Sequence, residues 1–249
     1  MPVVDVLGVH LHDLSLAQLL EQMRDGVLVT PNVDIIMRAR KDPAFHAVLH
    51  RAEFRVCDSR IVQWACRFLG TPVREKLSGS DVFPAFCAHH RDNPAVRVFL
   101  LGAREGVAAT ARARINQRLG RELVVGAHSP SFGFERDDDE CRDIVNLINA
   151  SGATVLAVGL GAPKQEFWIM RWRPLLPGVR IFMGIGATLD FEAGNVRRAP
   201  AWVSTAGLEW LYRLLQEPRR LWRRYLVDDL PFLWLVLKQR LGLTLPAPS

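Results

Sequence analysis

Cysteine is scarce in this chain: four residues in 249, and none of Cys57, Cys66, Cys87 and Cys141 forms a CxxC pair. That excludes a disulfide scaffold and a thioredoxin-type motif, and leaves buried, inert thiols in a reducing compartment. Zinc-ligand spacing is also missing. The histidines are scattered, and His46 and His50, four apart on a predicted helix, have no third ligand in view. No G-x-G-x-x-G follows the first apolar segment, which runs into Leu7-Gly8-Val9-His10, so a nicotinamide-dependent oxidoreductase is disfavoured. No GK[ST] follows any glycine turn, which excludes a P-loop. No DxD-type pair ends a strand; Asp137-Asp138-Asp139 reads as a solvated surface run. A bound metal or other cofactor is therefore not expected.

Long apolar runs are absent too. The late run 232–237 is separated from 225–227 by Asp228, Asp229 and Pro231, whereas a membrane span takes roughly 20 apolar residues. The opening MPVVDVLGVHLHDL lacks a basic region followed by an apolar one, so it does not read as a signal peptide. The expectation is a cytoplasmic protein without a transmembrane helix.

What is present is a folding composition, 49% hydrophobic and 23% charged. The net charge of +6 favours anionic partners: nucleic acid, phosphorylated ligands or acidic lipid head groups. The excess is concentrated late. Residues 209–225 hold Arg213, Arg219, Arg220, Arg223 and Arg224 against Glu209 and Glu217. Four of the seven tryptophans fall between Trp202 and Trp234, which marks a change of character near Asn195. Two units follow: an α/β core over 1–195 and a basic, Trp-rich helical appendage over 196–249.

Within the core, apolar runs alternate with helical patterns. Strands are predicted at 3–7, 26–30, 54–57, 96–101, 122–125, 154–159 and 180–184. Helices are predicted at 16–24, 33–50, 61–69, 81–89, 106–119, 137–150 and 164–176. Such alternation, with near-continuous apolar strands, implies a mostly parallel, Rossmann-like sheet covered by helices on both faces.

In open sheets of this kind, ligands gather at the carboxyl ends of the strands. Those ends carry Thr30-Pro31-Asn32, Cys57-Asp58-Ser59, Gly102-Ala103-Arg104-Glu105-Gly106, Gly159 through Glu166, and Gly184-Ile185-Gly186-Ala187 with Asp190 beyond. Asp58 reads either as the N-cap of the following helix or as a functional acid. Thr30 and Asn32 can orient a sugar by hydrogen bonds, or simply serve the turn at Pro31. Gly102 and Gly106 would let backbone N–H groups approach a phosphate. Lys164, Gln165 and Glu166 offer a cation, an amide and a carboxylate in one loop.

Together these pieces resemble the WecG/TagA/CpsF family of glycosyltransferases. The resemblance rests on Thr30-Pro31-Asn32, Asp58, Ser78-Gly79-Ser80-Asp81, Phe99-Leu100-Leu101-Gly102 and the Gly159–Glu166 loop. It continues through Arg198-Ala199-Pro200-Ala201-Trp202 and through Gly207 to Leu214, followed by Glu217-Pro218-Arg219-Arg220. It implies inverting transfer of a hexose or N-acetylhexosamine-type sugar from a UDP-sugar to a polyprenyl-diphosphate-linked acceptor, without a metal, in cell-surface polysaccharide synthesis. It implies Asp58 as general base, with Thr30, Asn32 and Gln165 at the sugar site. Lys76, Gly102, Gly161, Lys164, Glu166 and Asp190 are expected to bind substrate, and Arg213, Arg220 and Arg223 to meet the diphosphate from an appendage that closes at the membrane.

The implied location is peripheral, at the inner face of the cell membrane. Anionic lipid is then a partner, nucleic acid is not, and a homo-oligomer stays open. Trp210, Leu214, Leu221, Trp222, Tyr225, Phe232, Leu233 and Trp234 interleave with arginines as interfacial helices do. Two positions depart from the family pattern. The Asp-Gly at the catalytic acid is Asp58-Ser59, which predicts a different backbone turn because serine resists φ > 0. The arginine before the SGSD turn is Lys76, which keeps the charge and loses the bidentate fork. The alternative reading is a non-catalytic module for anionic lipid or nucleic acid.

Overall fold

The computed structural model describes residues 2–196, 203, 208–216, 218–223 and 227–244; of Glu209, Arg213, Gln216, Arg220 and Leu221, only the backbone is described. Six strands form one all-parallel sheet: β3 (Gly26–Val29), β4 (Phe54–Arg55), β5 (Val98–Gly102), β6 (Val124–His128), β7 (Val155–Gly159) and β8 (Ile181–Gly184). Their order across the sheet is β4-β3-β8-β7-β5-β6. Successive side chains leave opposite faces of a strand. Val27, Val29, Phe99, Leu101, Leu156 and Val158 accordingly join one apolar cluster, while Leu28, Val98, Leu100, Val155 and Ala157 join the other. Burial on both faces is why these strands are continuously apolar in sequence.

On one face lie α2 (Val33–Lys41), α3 (Pro43–His50), α4 (Arg60–Phe68), α7 (Asp138–Ser151) and α8 (Lys164–Trp172). On the other lie α1 (Leu16–Gln22), α5 (Gly79–His89), α6 (Val107–Leu119) and α9 (Thr188–Ala193). The result is the doubly covered, Rossmann-like α/β fold expected from the alternation.

Three elements differ from expectation. The segment predicted as a strand over 3–7 does not enter the parallel sheet. It forms β1 (Val3–Val6), paired antiparallel with β2 (Val9–His12), which the sequence reading missed. The two-residue turn Leu7-Gly8 has φ of 55° and 87°, the left-handed geometry that closes tight hairpins. The helix expected over 33–50 is two helices. Asp42 caps the second by accepting from Ala44 N and Phe45 N, and Pro43 takes its first turn, where a missing N–H costs nothing. The helix expected over 164–176 ends at Trp172 and continues as a short 3-10 turn, Arg173–Leu175.

Beyond the core, the described residues include α10 (Glu209–Gln216), α11 (Pro218–Arg223) and α12 (Pro231–Arg240). Helix α12 packs on the core through Phe232, Leu235 and Val236, at helical spacing. Phe232 is therefore buried and not an interfacial residue as expected. Gln239, one turn further, accepts from Leu7 N at 2.9 Å and donates to Asp5 Oδ1 at 2.8 Å, clamping α12 to the hairpin. The opposite stripe of Leu230, Leu233, Trp234, Leu237 and Leu241 is exposed. The motif Arg198–Trp202, and Tyr225, lie outside the described residues.

Candidate active site

A cavity of about 670 Å³ opens beyond the carboxyl ends of β3, β4, β7 and β8. Four loops supply its polar groups: Thr30 and Asn32, Asp58 and Ser59, Gly161 and Gln165, and Gly186 with Asp190 following. Ser78 and Gly79 of the SGSD turn, and Trp210, Leu230 and Leu233 of the C-terminal helical region, are also among the described lining.

Asp58 enters this cavity through a local competition that Ser59 wins. The side chain of Ser59 accepts from Val62 N at 3.2 Å and caps α4, so the capping role left open for Asp58 is taken by its neighbour. Ser59 has φ −129° and ψ 151°, extended backbone that any residue adopts. Serine here keeps clear of positive φ, as expected of a residue with a Cβ. The Asp58 backbone is anchored by its N–H to Pro31 O at 3.1 Å. Its Oδ2 accepts from Asn32 Nδ2 at 3.3 Å, while Asn32 Oδ1 accepts from Ile35 N at 3.1 Å and caps α2. One asparagine amide therefore ties the β3 loop to the acid on the β4 loop.

Gln165 is a bracket between the β7 and β8 loops. It is buried, and its Oε1 accepts from Gly161 N at 3.2 Å and from Gly186 N at 3.1 Å. Those two N–H groups are thereby occupied within the protein. Gly184 admits the bracket: a Cβ there would stand 2.8 Å from Gln165 Nε2. That Nε2 donates to Glu166 Oε1 at 2.8 Å. Glu166 is 1% exposed and does not line the cavity; it stands behind Gln165. Burial pushes its carboxyl up to about 7, against the hydrogen bonds it accepts and with a smaller contribution from Asp34.

Of the other expected residues, Gly161 and Asp190 line the cavity. Gly102 does not. It has φ +120°, and a Cβ there would meet Gly159 O at 2.6 Å, so glycine at this position lets β5 and β7 end side by side. Lys76 bonds Asp81 at 2.9 Å and pins the SGSD turn from outside the described lining. Lys164 is ion-paired with Glu135 and stands 5.4 Å over the Phe132 ring, again away from the lining. Arg223 is exposed on α11, while the side chains of Arg213 and Arg220 lie outside the described residues. His46 and His50 both bond the Gly8 carbonyl, at 3.0 and 3.1 Å.

Two cations that the sequence reading passed over do line the cavity. Arg38 pairs with Asp34 at 2.9 Å, an i,i+4 spacing that was legible. Arg60, two residues after Asp58, donates to Gln63 Oε1 at 2.7 Å. Its position at the start of α4, just past the acid, was the available signal.

An α/β sheet whose strand-end cavity holds an oriented carboxylate, hydroxyl and amide groups and flanking arginines defines an enzyme acting on a polar, charged ligand. The model of the Glycosyl transferase WecG/TagA/CpsF family matches residues 4–245. A curated relative, the N-acetylglucosaminyldiphosphoundecaprenol N-acetyl-beta-D-mannosaminyltransferase of Bacillus spizizenii, is 34% identical over 207 residues, covering 83% of this chain and 77% of that protein. The chain belongs to the WecG/TagA/CpsF family of glycosyltransferases. Its enzyme class is the UDP-sugar-dependent glycosyltransferase implied by the resemblance.

Proposed function

We propose that the enzyme transfers a hexose or N-acetylhexosamine-type sugar from a UDP-sugar to a sugar carried on a polyprenyl diphosphate, with inversion, in cell-surface polysaccharide synthesis. The observation that carries this reading is Asp58: a carboxylate in the cavity, relieved of the cap by Ser59 and oriented by Asn32. The relative's name supplies the acceptor class, an N-acetylglucosaminyl-diphospho-polyprenol.

In this mechanism Asp58 accepts the proton of the acceptor hydroxyl as that oxygen attacks the anomeric carbon. The bond from that carbon to the UDP oxygen breaks, and UDP leaves with the electron pair. Thr30, Asn32 and Asp190 hold sugar hydroxyls. Gln165 acts by fixing the two glycine loops that form the cavity floor, since its amide oxygen is already committed to them. Charge on the leaving diphosphate falls to cations, for which the family resemblance nominates Arg213, Arg220 and Arg223; guanidinium groups can do this without a divalent ion.

The enzyme works from the cytoplasmic face of the membrane, with residues 196–249 as its contact. The exposed stripe Leu230, Leu233, Trp234, Leu237 and Leu241 supports this, since an apolar outer face on an already packed helix is suited to the acyl boundary. Among the described residues no helix is long and apolar enough to cross a membrane. The test is a screen of UDP-sugars against a synthetic N-acetylglucosaminyl-diphospho-lipid, read by mass spectrometry. A disaccharide-lipid product with one donor supports the reading, and no product with any UDP-sugar defeats it.

A further inference from the structure

Arg60 is a cavity residue whose charge the described protein does not use. Among the described residues it makes one side-chain hydrogen bond, Nη1 to Gln63 Oε1 at 2.7 Å, and no ion pair. Its Nε is buried with no hydrogen-bond partner among the described residues. A buried N–H on a cation left without an acceptor is costly, so such groups are normally satisfied. Three other cations near the strand ends are matched by acids: Arg38 by Asp34, Lys76 by Asp81 and Lys164 by Glu135.

The surroundings of Arg60 indicate what would satisfy it. Asp58, two residues back along the chain, lines the same cavity. Ile61 and the exposed Leu230 and Leu233 line it too, and α12 packs against α4. The cavity lining therefore combines an acid, a cation and apolar side chains open to solvent. An acceptor made of a sugar, a diphosphate and a polyprenyl chain presents a hydroxyl, an anion and a hydrocarbon, one for each kind of group. We propose that Arg60 binds the diphosphate of the lipid-linked acceptor, and that Leu230 and Leu233 receive the first isoprene units as the chain leaves the cavity. This rests on the reading of Asp58 as the base that faces the acceptor hydroxyl. It also separates the two diphosphates of the reaction: the acceptor's at the α4 rim, the donor's elsewhere in the cavity.

The test uses the full chain and two acceptors, N-acetylglucosamine on a short prenyl diphosphate and a simple alkyl N-acetylglucosaminide without phosphate. The wild-type enzyme prefers the diphosphate acceptor. In Arg60→Gln that preference, as a ratio of KM values, collapses by about 10- to 100-fold, the range for a hydrogen bond to a charged group. The KM for UDP-sugar stays put, and Arg60→Lys restores part of the preference. Equal weakening toward both acceptors, or a raised KM for the donor, overturns the proposal. Titration calorimetry with farnesyl diphosphate gives an arm independent of catalysis. Binding is weaker in Arg60→Gln than in wild type and is not displaced by UDP; equal binding, or displacement by UDP, overturns the assignment. Should no UDP-sugar support transfer, the functional reading fails while this titration still decides Arg60.

Discussion

Replacing Glu166 by glutamine isolates the energetics of the group behind the cavity floor. Glu166 Oε1 accepts from Gln165 Nε2 at 2.8 Å, while Oε2 is buried without a hydrogen-bond partner among the described residues, and the Asp34 carboxylate opposes further negative charge. Burial raises the carboxyl from 4.5 to about 7. A folded-state value above the unfolded one means the folded protein binds the proton more tightly. The associated stability is fully present below pH 4.5, is lost as pH rises through about 7, and changes no further above it. A displacement of this size corresponds to roughly 3 kcal/mol. Glutamine has the same shape and no charge. Its extra amide hydrogens add a pH-independent cost of about 1 kcal/mol if unsatisfied. The readout is therefore the difference between variant and wild type across pH, in which titrations shared by both chains cancel. Urea unfolding followed by tryptophan fluorescence at pH 5, 6, 7 and 8 should show Glu166→Gln gaining on wild type with each step, by roughly 2.5 kcal/mol in all. A difference that is flat over that range would refute the reasoning and place an ionised carboxylate, with an unseen partner, behind Gln165.

Further outcomes follow from other parts of the site. Ser59→Ala should destabilise the fold by about 1 kcal/mol through the lost cap on α4, measured by the same unfolding assay; an unchanged stability would mean that Asp58 takes over the cap. Leu233→Glu with Trp234→Glu should sharply reduce recovery with anionic liposomes in flotation, since both side chains are exposed on α12; equal recovery would remove that stripe from the membrane contact. Transfer should persist in EDTA, and activity that vanishes and returns with magnesium or manganese would contradict a metal-independent reaction.

Much of this fold was legible because both faces of the sheet are covered. Continuous apolar segments such as 98–102 and 155–159 have no other stable home, and six of the seven predicted strands enter the parallel sheet. The errors lie where one local signal outweighs periodicity. At Asp42-Pro43 the apolar pattern continues, yet the cap and the ring end one helix and start another. At Leu7-Gly8 a left-handed turn folds a short strand back on its neighbour. The site divides in the same way. Residues whose role depends on their position at a strand end, Thr30, Asn32, Asp58 and Gly161, were readable and come together in the cavity. Cations were not, because the reach and pairing of a long side chain are set by partners distant in sequence. Lys164 is drawn to Glu135 and Lys76 to Asp81, while Arg60, which no motif marked, lines the cavity beside the acid.

The most direct test of the central claim is the turnover of Asp58→Asn with the UDP-sugar that the donor screen selects and the lipid-diphosphate acceptor. Asparagine keeps the size and the contact with Asn32 within reach but cannot take a proton. Turnover should fall about 100-fold or more, the range for a lost general base, with unfolding stability and donor KM near wild type. Near-normal turnover in a folded Asp58→Asn enzyme would contradict the account.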